Sequence, residues 1–165
     1  MAINFVTFGR IKTSERPLDY LGNFTLAMTS DFHPHIIKLG KIGDTITGFI
    51  TVAENSKMPF PIERVHWTYA TPESVTRGNH AHKNLKQILV AVAGKIKIDT
   101  ETIDGTRNSF MLDSPDKGLF LPSRCWRTIH FSNGAVLMCL ASMAFDEKDY
   151  IRDYEAFRIY RRQQK

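Results

Sequence analysis

The chain has 165 residues, 42% of them hydrophobic and 24% charged, which is one domain's length with enough apolar material for a full core. No run approaches a membrane span, and Met1-Ala2-Ile3-Asn4-Phe5 lacks the basic start and apolar centre of a signal peptide, so a cytoplasmic protein with no membrane partner is expected. Lys and Arg outnumber Asp and Glu by 22 to 17, but Arg158, Arg161, Arg162 and Lys165 crowd the C-terminus as a solvated helix end would, and no aromatic-interleaved basic stripe supports nucleic-acid binding.

Residues 1–33 read as an N-terminal extension, with short alternating strands at 4–8 and 24–28 that pack on the main domain or on a dimer partner. His33-Pro34-His35 reads as a surface turn, since no Cys or carboxylate cluster accompanies the pair. The main domain, 34–165, is a succession of short strands predicted at 36–39, 47–53, 62–69, 78–83, 86–93, 95–101, 107–112, 118–121, 126–131 and 135–142. With no amphipathic helix between them, these strands predict an antiparallel barrel or sandwich. Gly94, Asp104-Gly105 and Asn133-Gly134 mark hairpin turns. In 62–69, Arg64, His66 and Thr68 share one face and Val65, Trp67 and Tyr69 the other; alternation separates the faces without saying which is inward. Only Lys148 to Arg162 has helical spacing, through Tyr150, Ile151, Tyr154, Phe157 and Ile159. Cys125 and Cys139 lie in apolar strand-like runs and are expected to be buried free thiols.

The chemistry is concentrated at Arg77-Gly78-Asn79-His80-Ala81-His82-Lys83. In a strand, His80 and His82 fall on one face and Ala81 on the other, so two imidazoles share a wall. His80, His82, Gln87 and Gly94 have the spacing of the first cupin signature, with Gln87 where metal-binding members carry Glu. The second signature is present as Pro122-Ser123-Arg124-Cys125-Trp126-Arg127, with Arg127 in place of its His. A guanidinium has no lone pair to give a metal, so the expected site is a cupin pocket with no metal and no cofactor.

The His80-Ala81-His82-Lys83 block, together with Leu112-Asp113-Ser114-Pro115, Trp126, and the ending Phe145 to Tyr154, closely resembles the dTDP-sugar 3,4-ketoisomerases, which are WxcM-like cupins. The resemblance implies an all-β cupin (jelly-roll) barrel with a short C-terminal helix, a homodimer, and a dTDP-linked 4-keto-6-deoxy sugar as substrate. It implies catalytic roles for His80 and His82. Around them, Arg64, His66, Arg77, Lys83, Gln87, Arg127 and Thr47 are the candidate substrate contacts, with Arg77, Lys83 and Arg64 for the diphosphate and Arg127 for the charge that develops on the enediolate. Family members carry Arg or Tyr where Thr47 stands. Arg rather than His after the Trp is linked with a product that keeps the gluco configuration. A cupin that binds sugar nucleotides without turning them over is the competing reading; a metal-dependent cupin is disfavoured by Gln87 and Arg127.

Overall fold

The rule that builds the molecule is visible in β10 (Cys125–Phe131): Cys125, Arg127, Ile129 and Phe131 are buried, while Trp126, Thr128 and His130 alternate with them as half-exposed residues. Each inward row needs a facing row to exclude water, and two sheets supply them to each other. In the computed structural model, which describes residues 32–163, the first sheet orders β1 (His35–Lys38), β9 (Lys117–Leu121), β6 (Gln87–Ala93), β11 (Val136–Ala141) and β4 (Arg64–Thr68). The second orders β12 (Tyr150–Ile151), β5 (Arg77–His82), β10, β7 (Ile96–Thr102) and β8 (Arg107–Leu112). All pairings are antiparallel. The main core lies between the sheets, where Leu89, Leu119 and Leu137 of the first meet Ile98, Leu112 and Ile129 of the second.

The expected all-β barrel is therefore present as a two-sheet jelly roll, and the predicted strands are found with ends shifted by at most two residues or so. Two strands are additional. β2 (Gly40–Asp44) pairs with β3 (Gly48–Val52) in a separate exposed hairpin, where Gly40, Gly43 and Asp44 dilute the strand signal. β12 lies inside the segment expected to be helical. The helix α1 starts only at Tyr154 and runs to Gln163, because Tyr150 and Ile151 pair with His82 and Ala81 instead. The three-to-four residue spacing from Tyr150 to Phe157 is produced by an edge strand of the second sheet followed by a helix that packs on that sheet's outer face. There Ala81, Ile151 and Phe157 form a cluster with Trp126 and Tyr154.

Two turn expectations are corrected. Asp104-Gly105 does close the β7–β8 hairpin, with Gly105 N donating to Thr102 O at 2.9 Å. Gly94 and Asn133-Gly134 do not close hairpins, since β6 and β7, like β10 and β11, belong to different sheets. These glycines turn the corner from one sheet to the other. At Gly94 (φ +71°) an added Cβ would stand 2.7 Å from Ala135 Cα, so the corner accepts only glycine. His33-Pro34-His35 is a surface bend only at His33; His35 opens β1, its ring centroid 5.0 Å from that of Phe120. Cys125 and Cys139 are buried and unbridged, as expected. The expected strands at 4–8 and 24–28, like Lys165, lie outside the described residues. Within them, no helix is long and apolar enough to cross a membrane.

Candidate active site

β5 carries the chemistry, and it is not a regular strand. Arg127 pairs with His80 and Thr128 with Gly78, leaving Asn79 as an extra residue whose φ is +51°. Such a bulge bends a strand and re-aims its side chains. Here it brings the His80 ring back over its own chain, so that Nδ1 lies 2.8 Å from Gly78 O. A carbonyl only accepts, so Nδ1 carries the hydrogen and donates, and Nε2 is left with a lone pair. Gly78 (φ +79°) is required beneath this turn, because a Cβ there would meet Arg127 O at 2.8 Å.

His80 and His82 face inward on the same side, as their parity predicted, with ring centroids 4.9 Å apart and planes nearly perpendicular. Tyr150, brought by β12, lies 5.0 Å from the first ring and 4.2 Å from the second. His82 is 2% exposed, and its Nδ1 is 3.0 Å from Asp149 Oδ2. Its Nε2 is buried with no hydrogen-bond partner among the described residues. Opposite His80 on β10, Arg127 is 3% exposed and is held by neutral oxygens: Nη1 donates to His80 O at 3.1 Å, and Nη2 donates to Gln87 Oε1. Gln87 Nε2 in turn reaches Cys139 Sγ at 3.1 Å, and β6 thereby fixes the guanidinium. Burial lowers the Arg127 pKa to about 10, which leaves it cationic at neutral pH. Burial, then Arg127, depress the His80 pKa to about 3, and the same causes push His82 down as well. Both shifts favour the neutral imidazole at neutral pH. Burial raises the Cys125 and Cys139 thiols to about 12, so neither is a nucleophile.

These groups wall a cavity of about 130 Å³ between the sheets, completed by His66, Thr68, Arg77, Tyr150 and a set of core apolar residues. It has room for a sugar ring but is smaller than pockets that swallow whole ligands, so a larger ligand would extend outside the mouth. Of the residues singled out from sequence, the structure brings together His66, Arg77, His80, Gln87 and Arg127 on this wall, with His82 directly behind. It does not bring Arg64, Lys83 or Thr47 there. Arg64 shares the inward face of β4 with His66, but its guanidinium turns toward Phe145, 5.7 Å from the ring. Lys83 has the opposite parity to His80 and His82, and its Nζ donates to Lys148 O at 2.7 Å. Thr47 caps the exposed β2–β3 turn, where its N and Oγ1 both donate to Asp44 Oδ1. Asp149 and Tyr150 are the site residues that sequence reasoning missed. Their signal was masked by apolar spacing that suggested a continuous helix. A larger hollow of about 440 Å³, lined by Phe32, His33, Lys86 and Arg124 among others, gathers no comparable set.

The donor set does not fit a divalent metal. Gln87 Oε1 is taken by Arg127, the guanidinium occupies the place of a third imidazole, and no group of three His, Cys, Asp or Glu among the described residues is arranged to hold an ion. The site can instead offer two neutral imidazoles, a fixed cation and a phenol to one small polar ligand.

Known proteins resemble this chain in sequence and fold. The family model described as FdtA: WxcM-like, C-terminal, matches residues 32–162. The chain is 39% identical over 127 residues to TDP-4-oxo-6-deoxy-alpha-D-glucose-3,4-oxoisomerase of Aneurinibacillus thermoaerophilus, a match covering 76% of this chain and 90% of that one. Among solved structures it is similar to QdtA, a sugar 3,4-ketoisomerase of Thermoanaerobacterium thermosaccharolyticum in complex with TDP, with a TM-score of 0.75, 34% identity and coverage of 79% and 96%. A histidine-to-asparagine variant of QdtA was solved with TDP-4-keto-6-deoxyglucose. WlaRB, a TDP-quinovose 3,4-ketoisomerase of Campylobacter jejuni, gives a TM-score of 0.71 at 36% identity over 76% of this chain and 97% of that one. A match across nearly all of the described residues, three relatives above 30% identity that are 3,4-oxo- or ketoisomerases, and a shared jelly roll lead to one assignment: the chain belongs to the FdtA, WxcM-like family of cupin 3,4-ketoisomerases.

Proposed function

We propose that this protein isomerises a TDP-linked 4-keto-6-deoxyglucose to its 3-keto isomer by proton transfer through His80 and His82. The observation that supports this most directly is the state of the two rings. Both are neutral, and His80 has Nδ1 committed to Gly78 O, so its Nε2 lone pair is presented to the cavity. Moving a ketone from C4 to C3 begins with loss of the C3 proton. His80 Nε2 takes it, and the C3–H electron pair becomes the C3=C4 double bond as the carbonyl pair moves onto O4. Arg127, a buried cation in low dielectric, stabilises the developing negative charge. His82 Nε2 accepts the proton of the C3 hydroxyl and delivers it to O4. Return of the proton from His80 to C4 then leaves the ketone at C3. Every proton removed is replaced, and no oxidant is consumed.

The cavity holds the sugar, while the nucleotide lies beyond its mouth, where Arg77 is exposed and suited to a phosphate oxygen. The chain acts as a homodimer. β4 is an edge strand whose outward Val65 and Trp67, with Tyr69 just beyond its end, are 47%, 60% and 66% exposed, an apolar row that a second copy would cover.

Incubating the purified protein with TDP-4-keto-6-deoxyglucose in deuterated water tests the chemistry. Deuterium at C3 or C4 and a 3-keto product by NMR are expected. His80→Asn should remain folded and lose roughly 100- to 10,000-fold in kcat. Tight TDP binding with no deuterium uptake would instead identify a binding protein without turnover.

A further inference from the structure

β12 sets Asp149 beside the second imidazole. Because Tyr150 pairs with His82, the preceding residue lies level with the chain leaving β5, and Lys83 N donates to Asp149 O at 2.9 Å. The side chain is then surrounded by donors. Oδ1 accepts from Asn84 N at 2.8 Å and from Asn84 Nδ2 at 3.1 Å, while Oδ2 accepts from Leu85 N at 3.2 Å. Oδ2 also lies 3.0 Å from His82 Nδ1. With its carboxylate oxygens already accepting from N–H groups, Asp149 acts as an acceptor, and the hydrogen in the last contact belongs to Nδ1. The two side chains are 2% and 3% exposed, so water does not compete for the bond. By elimination, the lone pair of His82 sits on Nε2, the atom left without a partner among the described residues.

We propose that Asp149 is a positioning residue of the isomerisation: it holds His82 in the Nδ1–H tautomer, with the Nε2 lone pair free to take the hydroxyl proton, and balances the imidazolium formed while that proton is carried. This rests on the relay role given to His82 above. The other charged groups around the ring, Arg127 from β10, Arg64 from β4 and Arg152 after β12, all oppose an imidazolium. Asp149 is the carboxylate hydrogen-bonded to it, so it carries the balance against them.

Asp149→Asn separates positioning from folding. An amide whose oxygen keeps the two Asn84 donors places its NH₂ where Oδ2 stood, giving up the Leu85 bond, and by donating to His82 Nδ1 moves the ring hydrogen to Nε2. The expected result is a folded protein with kcat reduced roughly 100- to 10,000-fold, KM and TDP affinity within about threefold of wild type, and a reversed tautomer in long-range ¹H–¹⁵N spectra. Asp149→Glu, which keeps an acceptor, should recover at least about tenfold of the loss. A folded Asp149→Asn with kcat within about threefold of wild type, or with kcat reduced and the tautomer unchanged, overturns the proposal. If Asp149→Asn does not fold, the wild-type spectrum decides alone: His82 protonated on Nε2 at neutral pH would be fatal. Absence of turnover in the wild-type enzyme refutes the function proposed above and leaves the tautomer measurement standing as a separate result.

Discussion

His80 illustrates how much of a residue's chemistry a neighbouring backbone atom decides. The sequence places it beside His82 on one face. The hydrogen bond to Gly78 O, which selects the basic nitrogen, exists only because Asn79 bulges out of β5. Arg127 acts on the same ring through charge, and this is measurable. The folded His80 pKa, about 3, lies below the ordinary 6.5, so the base is unprotonated throughout the usual assay range. The acid limb of kcat/KM should therefore fall well below pH 6.5. Arg127→Met removes a cation that disfavours the imidazolium, so the limb should move up toward 6.5 while kcat drops by roughly 100- to 1,000-fold. An acid limb near 6.5 in the wild type, or an unmoved limb in Arg127→Met, contradicts this account. The substitution of Gln for Glu and Arg for His was legible from motif spacing. That the two substituted residues are bonded to each other was not, since nothing in sequence sets Arg127 across the barrel from Gln87.

Among the elements, the strand pattern of the barrel was legible because each strand has a wet and a dry side, or none wet at all. β6 and β9 read as continuous apolar runs because both faces are covered: Ile88, Val90 and Phe120 pack outward against Leu39 and Phe60 while Leu89 and Leu119 pack inward. The C-terminal segment was misread because period alone does not distinguish one long helix from β12 followed by α1. Hydrogen bonding to β5 makes the distinction, and it is a long-range interaction. α1 is then held by Glu101 of β7, which is 6% exposed and accepts from Tyr154 Oη at 2.7 Å, Arg107 Nε at 3.0 Å and Arg161 Nη1 at 2.5 Å. Arg161 is thus an anchor rather than part of a solvated basic end. Glu101→Ala leaves these donors without their acceptor and should cost about 1–3 kcal/mol, a range kept low because Arg107 is exposed and Arg161 partly so. Hydrogen exchange should show α1 amides losing protection before those of β6 and β11; unchanged protection and an unchanged Tm would show the clamp to be without effect.

For the whole molecule, the apolar row on β4 and the exposed Ile42, Phe49 and Ile50 of the β2–β3 hairpin leave more hydrophobic surface than a lone barrel needs. Light scattering should find the wild type dimeric, and Trp67→Lys, at a residue 60% exposed, should shift it to monomer with little change in Tm; a monomeric wild type would end the dimer proposal. From pH 6.5 downward the unfolded chain protonates histidines that the folded chain keeps neutral, so stability should fall with pH toward about 3, by up to about 1.4 kcal/mol per pH unit for each of His80 and His82. The sequence by itself determined an antiparallel β-barrel, the shared face of His80 and His82 and the loss of a metal ligand set, because alternation and residue chemistry are local properties. Tertiary structure alone decided that Arg64, Lys83 and Thr47 stand off the cavity wall and that Asp149 and Tyr150 join the histidines, because contacts between residues some 67 positions apart depend on which strands pair.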